Sequence, residues 1–572
     1  MIKKTLFTLI TFLIGFNCFS QDTIPKNYFR SPLGIPLFLA GNFGELRANH
    51  FHAGIDMKTQ GKEGFKIYAA ADGVVSRIKI SPWGYGKAIY IDHPNGYTTV
   101  YAHLQRYKGE IATQIKKHQH EIESWEFDWY PPATLMKVKK GDVIALSGNT
   151  GGSGGPHLHF EIRETASEHP VNPLLFGFDI KDNIKPIIRS IVLTPLNDTS
   201  YVNNKSKPQR FLVTGATGNY KLKYATPINA YGEIGIGIET IDKLNGVGNR
   251  NGIYSIELIK NSTTIFKSEM KEFSFDESRA LNSLIDYKYF LKDKVRFQRS
   301  YIEANNPLSI YTKNENNGII QFSKNDKIAF NYIVKDSYGN KSTLAFGVNG
   351  NINKKLIQKS PQIAIDTTFS FMDSNYFETP NMNIAIPENA LYTNLDMQFH
   401  IADTLIGAIS PTYFIHNDYT PLHKAIEVSI KVGRLSEYLR SKATIVHFDR
   451  RKKYYAKGGT WRNNAITAKS KAFGGFAVMI DTIPPKISPT NIYENKNMAG
   501  NSTITVKIGD NLSGIKSYRG SIDGKWVIME YETKKAKLFH TFDNLEKGAH
   551  IFDLTLTDGV GNESKVSIPF TR

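Results

Sequence analysis

Short runs rich in Val, Ile, Thr, Tyr and Phe recur along the chain, separated by Gly, Asn, Asp and Pro. Alternation of this kind, bounded by turn-forming residues, predicts strands. Ile89 to His93 and Tyr97 to His103 flank Pro94-Asn95-Gly96. That pattern predicts a hairpin, because Asn-Gly tolerates the positive φ such turns need. Clear long amphipathic helical patterns are absent. The expected fold class is therefore mainly β, with an N-terminal antiparallel β domain followed by several β-sandwich modules of immunoglobulin-like type.

At 572 residues the chain has room for three to five domains. A weak internal repeat helps to divide it. Asp182-Asn183-Ile184-Lys185-Pro186-Ile187 resembles Asp481-Thr482-Ile483-Pro484-Pro485-Lys486-Ile487. Each opens a segment with a second Asp, in Asp242 to Tyr254 and in Asp510 to Lys516. Each closes on Asp-x-x-Gly-Asn, at Asp336 to Asn340 and at Asp558 to Asn562. This order predicts a domain over 21–180, similar β-sandwich modules near 181–350 and 481–572, and another β module over 351–480. The Asp/Asn/Gly clusters could hold calcium, but no full EF-hand loop is present, so turn chemistry is the expected reading.

Residues 1–20 carry the pattern of a secretory leader. Lys3 and Lys4 precede an apolar stretch from Leu6 to Phe16, and Cys18-Phe19-Ser20 offers a cleavage site before Gln21. The apolar stretch falls well short of the ~20 residues needed to span a bilayer. Asn17 argues against lipid attachment at Cys18. No later stretch is long and apolar enough to span, so the expected product is exported to the periplasm or cell envelope, or secreted. Cys18 is the chain's single cysteine, which excludes a disulfide scaffold, a Cys-ligated zinc site and a cysteine nucleophile in a mature chain.

Lys and Arg number 71 against 53 Asp and Glu, a net charge of +18. Outside the cytoplasm nucleic acid is not the expected partner, and no nucleic-acid module is evident. Anionic cell wall or lipid head groups suit such a field better, although a basic surface can also serve solubility alone.

Histidines group informatively in the first third: His50-Phe51-His52-Ala53-Gly54-Ile55-Asp56, Tyr101-Ala102-His103-Leu104, and Gly155-Pro156-His157-Leu158-His159-Phe160-Glu161. The helical His-Glu-x-x-His signature is missing. On a strand, His157 and His159 project to one face, with Leu158 and Phe160 on the other. His52 and Asp56, four apart, would also share a strand face, with Ala53 and Gly54 allowing a bend. His103 would share a face with Tyr101 and Thr99. A catalytic zinc commonly takes three protein ligands and keeps one position open. Five groups are available, and spacing alone does not assign which three ligate.

These blocks resemble the signatures of the M23 peptidases, the LytM and lysostaphin-type zinc endopeptidases. Ala69 to Val75, Gly86 to His93 and Val138 to Ile144 add family-like pieces, and the match covers about residues 40–175. The resemblance implies that His52, Asp56 and His159 are zinc ligands, with His103 and His157 as the catalytic pair. It implies a small antiparallel β domain with a groove above the metal, cutting peptide stems or cross-bridges of peptidoglycan. In a thin-walled envelope the natural bond is the D-alanyl–diaminopimelate bridge. The C-terminal β modules would position the enzyme or hold envelope proteins. A non-catalytic envelope-binding scaffold and a protein-degrading secreted peptidase are the alternatives.

One departure from the family pattern is an insertion over 107–136, carrying His118, His120, Trp125, Phe127, Trp129 and Tyr130. It is expected as a solvated loop without a metal, its aromatic run either packed against the domain or roofing the groove. His50 is expected not to ligate and His93 to be structural. The glycine-rich 148–155 stretch lacks a phosphate loop's Gly-Lys-Ser/Thr ending and reads as a tight turn delivering His157.

Overall fold

A computed structural model describes residues 24–358, 364–451 and 453–572. The leader read over 1–20, with Cys18, lies outside the described residues. Strands β1 (Leu39–Gly41), β2 (Ile55–Lys58), β3 (Lys66–Tyr68), β4 (Gly73–Ile80), β5 (Lys87–Asp92), β6 (Tyr97–Ala102) and β7 (Arg106–Tyr107) precede helix α1 (Gly109–Ile122). Strands β8 (Phe127–Trp129), β9 (Lys137–Val138), β10 (Val143–Leu146) and β11 (His157–Glu164) follow it. The main sheet runs β1-β2-β11-β6-β5-β4-β8, every neighbouring pair antiparallel, and β3-β10-β7 form a smaller one.

The alternation in the sequence explains which side of the main sheet is dry. Ile55, Met57, Ile89, Ile91, Tyr101, Leu158, Phe160 and Ile162 all enter one core. The residues between them point the other way, which places His159 and Asp56 on the opposite face. The hairpin forms as expected between β5 and β6, and the positive φ falls on Gly96 (81°).

The segment 107–136 differs from the expected solvated loop. It holds a 14-residue helix, α1, because Ile111, Ile115 and Gln119 recur at helical spacing and bury one stripe. Trp125 is buried in the main core, and β8 pairs with the edge of β4. Trp129 stacks on His118 at 4.3 Å between centroids, while His120 meets Trp526 edge-on. Trp125, Phe127 and Trp129 pack against the body of the protein, whereas Tyr130 is exposed and lies beside Arg77, 5.0 Å from ring centroid to guanidinium.

Three further β-rich bodies follow. Residues 187–350 form a twelve-stranded sheet closing on Ile191, Ile236, Leu258, Phe330 and Leu344. Two five-stranded sheets within 375–480 face each other across Ile384, Tyr413, Val428 and Phe476. Four- and five-stranded sheets of 486–571 enclose Ile504, Leu538, Phe552 and Leu554. A separate apolar cluster joins Phe43, Phe51 and Ala53 to Phe273, Leu281 and Leu284 of the second body. It anchors the segment that carries His52.

Candidate metal centre

His159 on β11 lies directly opposite Asp56 on β2. Cross-strand partners stand about 4.5–5.5 Å apart at Cβ, so this register alone brings imidazole and carboxylate together. His52 does not share their strand, since β2 begins only at Ile55. It arrives from the preceding loop, where Gly54 runs so close to β11 that an added Cβ would lie 2.3 Å from the Phe160 carbonyl oxygen. The close approach carries His52 onto His159.

His103 also departs from the strand expectation. β6 ends at Ala102, and His103 adopts φ 59°. Continuing the strand would send it to the dry side with Tyr101, whose ring packs on Phe160. The left-handed turn instead swings it to the face of His157 and His159, with ring centroids 4.8 and 5.7 Å away. All five residues singled out by the sequence therefore meet in one place.

The ring nitrogens decide what this place can hold. His52 Nδ1 lies 2.7 Å from the Asn42 carbonyl oxygen, which can only accept, so the ring donates there and Nε2 keeps a lone pair. His159 Nε2 lies 2.8 Å from Glu161 Oε1, so its N–H points at that carboxylate and Nδ1 keeps the lone pair. His52 Nε2 and His159 Nδ1 are 3.0 Å apart, and Asp56 Oδ1 is 3.0 and 2.9 Å from them. Three potential ligand atoms thus converge on one point, which a proton shared with Asp56 or a metal cation can occupy. Two imidazoles and a carboxylate suit zinc.

The surrounding charges fit the same conclusion. Burial raises the Asp56 carboxyl, but the imidazoles of His52, His157 and His159 more than offset it and hold the group well below the usual range. Burial lowers His159, yet bonds to Asp56 and Glu161 lift it to about 9, which shows how strongly the position attracts positive charge. Arg47 binds Asp56 Oδ2 at 3.0 Å and leaves Oδ1 to the centre.

His103 and His157 stand beside the cluster. Their Nδ1 atoms face the carbonyl oxygens of Thr150 (2.9 Å) and Gly155 (2.8 Å), which leaves Nε2 of His103 available and turns Nε2 of His157 to Asp56 Oδ1 at 3.3 Å. Burial, then the neighbouring His159 and His157, bring His103 down to about 3, so it is neutral near pH 7. His50 is exposed and bonds Ala48 O, whereas His93 is tied to Asp72 O and Thr99 Oγ1 away from the cluster.

The sequence reading assigned no role to the layer behind the ligands. Glu161 is fully buried, and Arg163 Nε and Nη2 each donate to its Oε2 at 2.7 Å. Burial raises Glu161, but Arg163 and His159 draw it down to about 2, keeping it an anion that orients His159. Tyr85 donates to the same carboxylate. The signal for Glu161 was present: it lies two residues beyond His159 in the same alternation. Tyr85 and Asn42 carried none.

A groove of about 530 Å³ opens beside His52 and His159. Its walls include Lys79 from the first body, Phe275 and Arg279 from the second, and Lys471 from the third. The cleft is built by several parts of the chain, and its rim is basic.

A β domain with a His/Asp/His centre and two further imidazoles beside it has the form of a metallopeptidase. Residues 50–120 and 134–173 match the model of Peptidase family M23, so the first third of the chain carries an M23 peptidase domain. The break in the match lies inside the 107–136 segment. Residues 366–481 match a Zu5-like domain. An uncharacterized metalloprotease of Haemophilus influenzae is 31% identical over 159 residues, 27% of this chain and 28% of that protein. The DD-carboxypeptidase/endopeptidase Mpg of Neisseria meningitidis is 36% identical over 123 residues, 22% of either chain. The peptidoglycan DD-endopeptidase ShyA of Vibrio cholerae is 30% identical over 159 residues, 27% of this chain and 30% of that protein. The matched region spans less than a third of each relative's length. Among the described residues, no helix is long and apolar enough to cross a membrane.

Proposed function

We propose that this chain is a zinc metalloendopeptidase that hydrolyses peptide cross-links of peptidoglycan. The observation that carries the reading is the mutual approach, within 3.0 Å, of His52 Nε2, Asp56 Oδ1 and His159 Nδ1. These atoms would hold the zinc, which when bound supplies a Lewis acid that polarises a peptide carbonyl and makes water acidic. Glu161 keeps His159 in the ligating tautomer, and Asn42 O does the same for His52. His103 is neutral and has Nε2 free, so it accepts a proton from the attacking water. His157, 4.8 Å away ring to ring, shares that proton traffic and stabilises the tetrahedral intermediate when protonated.

The substrate assignment draws on relatives whose names record DD-endopeptidase activity and on the basic rim, which suits the carboxylates of peptide stems. Removal of residues 1–20 as a leader would put the enzyme where that polymer lies. The test is digestion of purified sacculi by the full chain, with released muropeptides followed by chromatography. Release that chelator and His159→Ala both abolish is expected. No release, or release indifferent to both treatments, contradicts the proposal.

A further inference from the structure

A second cluster of candidate ligands, all oxygen donors, lies outside the peptidase centre. Asp182 is on the connector that leaves the first body, Asp242 follows the long strand Ile228–Ile241, and Asp336 opens the turn after Lys327–Lys335. One oxygen from each lies within 4.8 Å of the others. Turn chemistry accounts for part of this. Asp336 Oδ1 accepts from the Tyr338 and Asn340 amides, and Asp182 Oδ1 from the Ile184 amide. It does not account for two of the other oxygens. Asp182 Oδ2 and Asp242 Oδ1 are buried without a hydrogen-bond partner.

Asn251 supplies an independent sign of a missing ligand. Its backbone exchanges both hydrogen bonds with Asp242, at 3.0 and 2.9 Å, so the two side chains leave the same face. Asn251 is 4% exposed, and neither its amide oxygen nor its amide nitrogen has a partner. Asp242 is 1% exposed and Asp336 3%. Among the described residues, no lysine or arginine offsets the charge of the three acids.

We propose that Asp182, Asp242 and Asp336, with the Asn251 amide oxygen, form a calcium site that ties the connector behind the peptidase domain to the next β-rich body. The donors are all hard oxygens, which suit calcium or magnesium and not zinc. Calcium takes its ligands at 2.3–2.6 Å, so donors on opposite sides of the ion stand about 5 Å apart, as this spread allows. Magnesium keeps several waters, and a site this buried leaves little room for them. The arrangement also recurs. Asp481, Asp510 and Asp558 converge within 4.8 Å at the connector before the last body. There Asn562 Nδ2 bridges Asp558 Oδ2 and the Asp481 carbonyl, as Asn340 Nδ2 bridges Asp336 Oδ2 and the Asp182 carbonyl.

The experiment uses the full, zinc-loaded chain dialysed free of calcium. Bound calcium is counted by equilibrium dialysis, and the thermal midpoint is followed as calcium is added. Asp242→Asn should bind one calcium fewer per chain than the unaltered protein and show a smaller calcium-dependent rise in midpoint. Without calcium it should be at least as stable as the parent, because a buried acid crowded by two others is gone. If Asp242→Asn fails to fold, Asp182→Asn, on the half-buried connector, gives the same two readouts. Equal calcium counts in parent and folded variant, or an equal response to magnesium, overturn the assignment.

Discussion

At the scale of the residue, the centre is defined less by which histidines are present than by what each places behind its ring. His52 and His159 would ligate through different nitrogens, Nε2 and Nδ1, because a backbone carbonyl stands behind one and Glu161 behind the other. Removing such an orienting partner typically costs about 10–100-fold in metal affinity. Glu161→Gln should therefore weaken zinc binding by about that factor, as measured by competition with a chromophoric chelator. It should also destabilise the fold, since Arg163 loses its buried counter-ion. Unchanged affinity would show that His159 needs no such partner. His103→Ala should retain zinc and lose about 10²–10⁴-fold in kcat, a split read by metal analysis alongside sacculus digestion. Loss of zinc would move His103 from proton handling to ligation. The sequence made the five groups legible through their spacing. It did not make His103's route legible, because the left-handed turn that brings it to the site has no signature in Tyr-Ala-His-Leu.

At the scale of the element, two glycine turns hold the catalytic side of the site. Gly86 has φ 66°, and an added Cβ would lie 2.4 Å from Thr150 Oγ1 and 2.7 Å from the Gly151 amide. Thr150 O in turn receives His103 Nδ1. Gly86→Ala should cost at least about 1–2 kcal/mol from the left-handed backbone alone. It should also depress activity more than zinc content, with stability measured by denaturant unfolding. Stability and activity equal to the parent would mean the two turns are not interlocked. The same scale shows where sequence reading fell short. Period-two alternation gave the strands of the first body, and the His-Leu-His-Phe alternation gave β11's two faces. Helix α1 was missed because its buried stripe is only Ile111, Ile115 and Gln119, within a run of Lys, Gln, His and Glu that reads as solvated. Its spacing at i, i+4 and i+8 was the available signal.

At the scale of the whole molecule, the last body folds back onto the first. Lys87, buried on β5, pairs with Glu530 at 2.6 Å, and Thr533 and Lys534 bond Pro82 O and Asn149 Oδ1 next to the turn that leads to His157. Lys116–Asp543 and Arg519–Glu123 close the other side, around α1. Nothing in the sequence announced partners more than 440 residues apart, since a complementary pair of charges has no local pattern. Glu530→Ala leaves Lys87 without its counter-charge and should cost about 1–3 kcal/mol, whereas Lys87→Met with Glu530→Met should cost less. Thermal unfolding of the full chain checks the difference, and equal losses would mean the contact is not an energetic coupling. The account rests above all on a divalent ion held by His52, Asp56 and His159. Its most direct test is crystallography of the full chain with anomalous data collected across the zinc edge. The account predicts a zinc peak about 2.0–2.2 Å from His52 Nε2, Asp56 Oδ1 and His159 Nδ1. A zinc-supplemented crystal with no peak among those three atoms would contradict it.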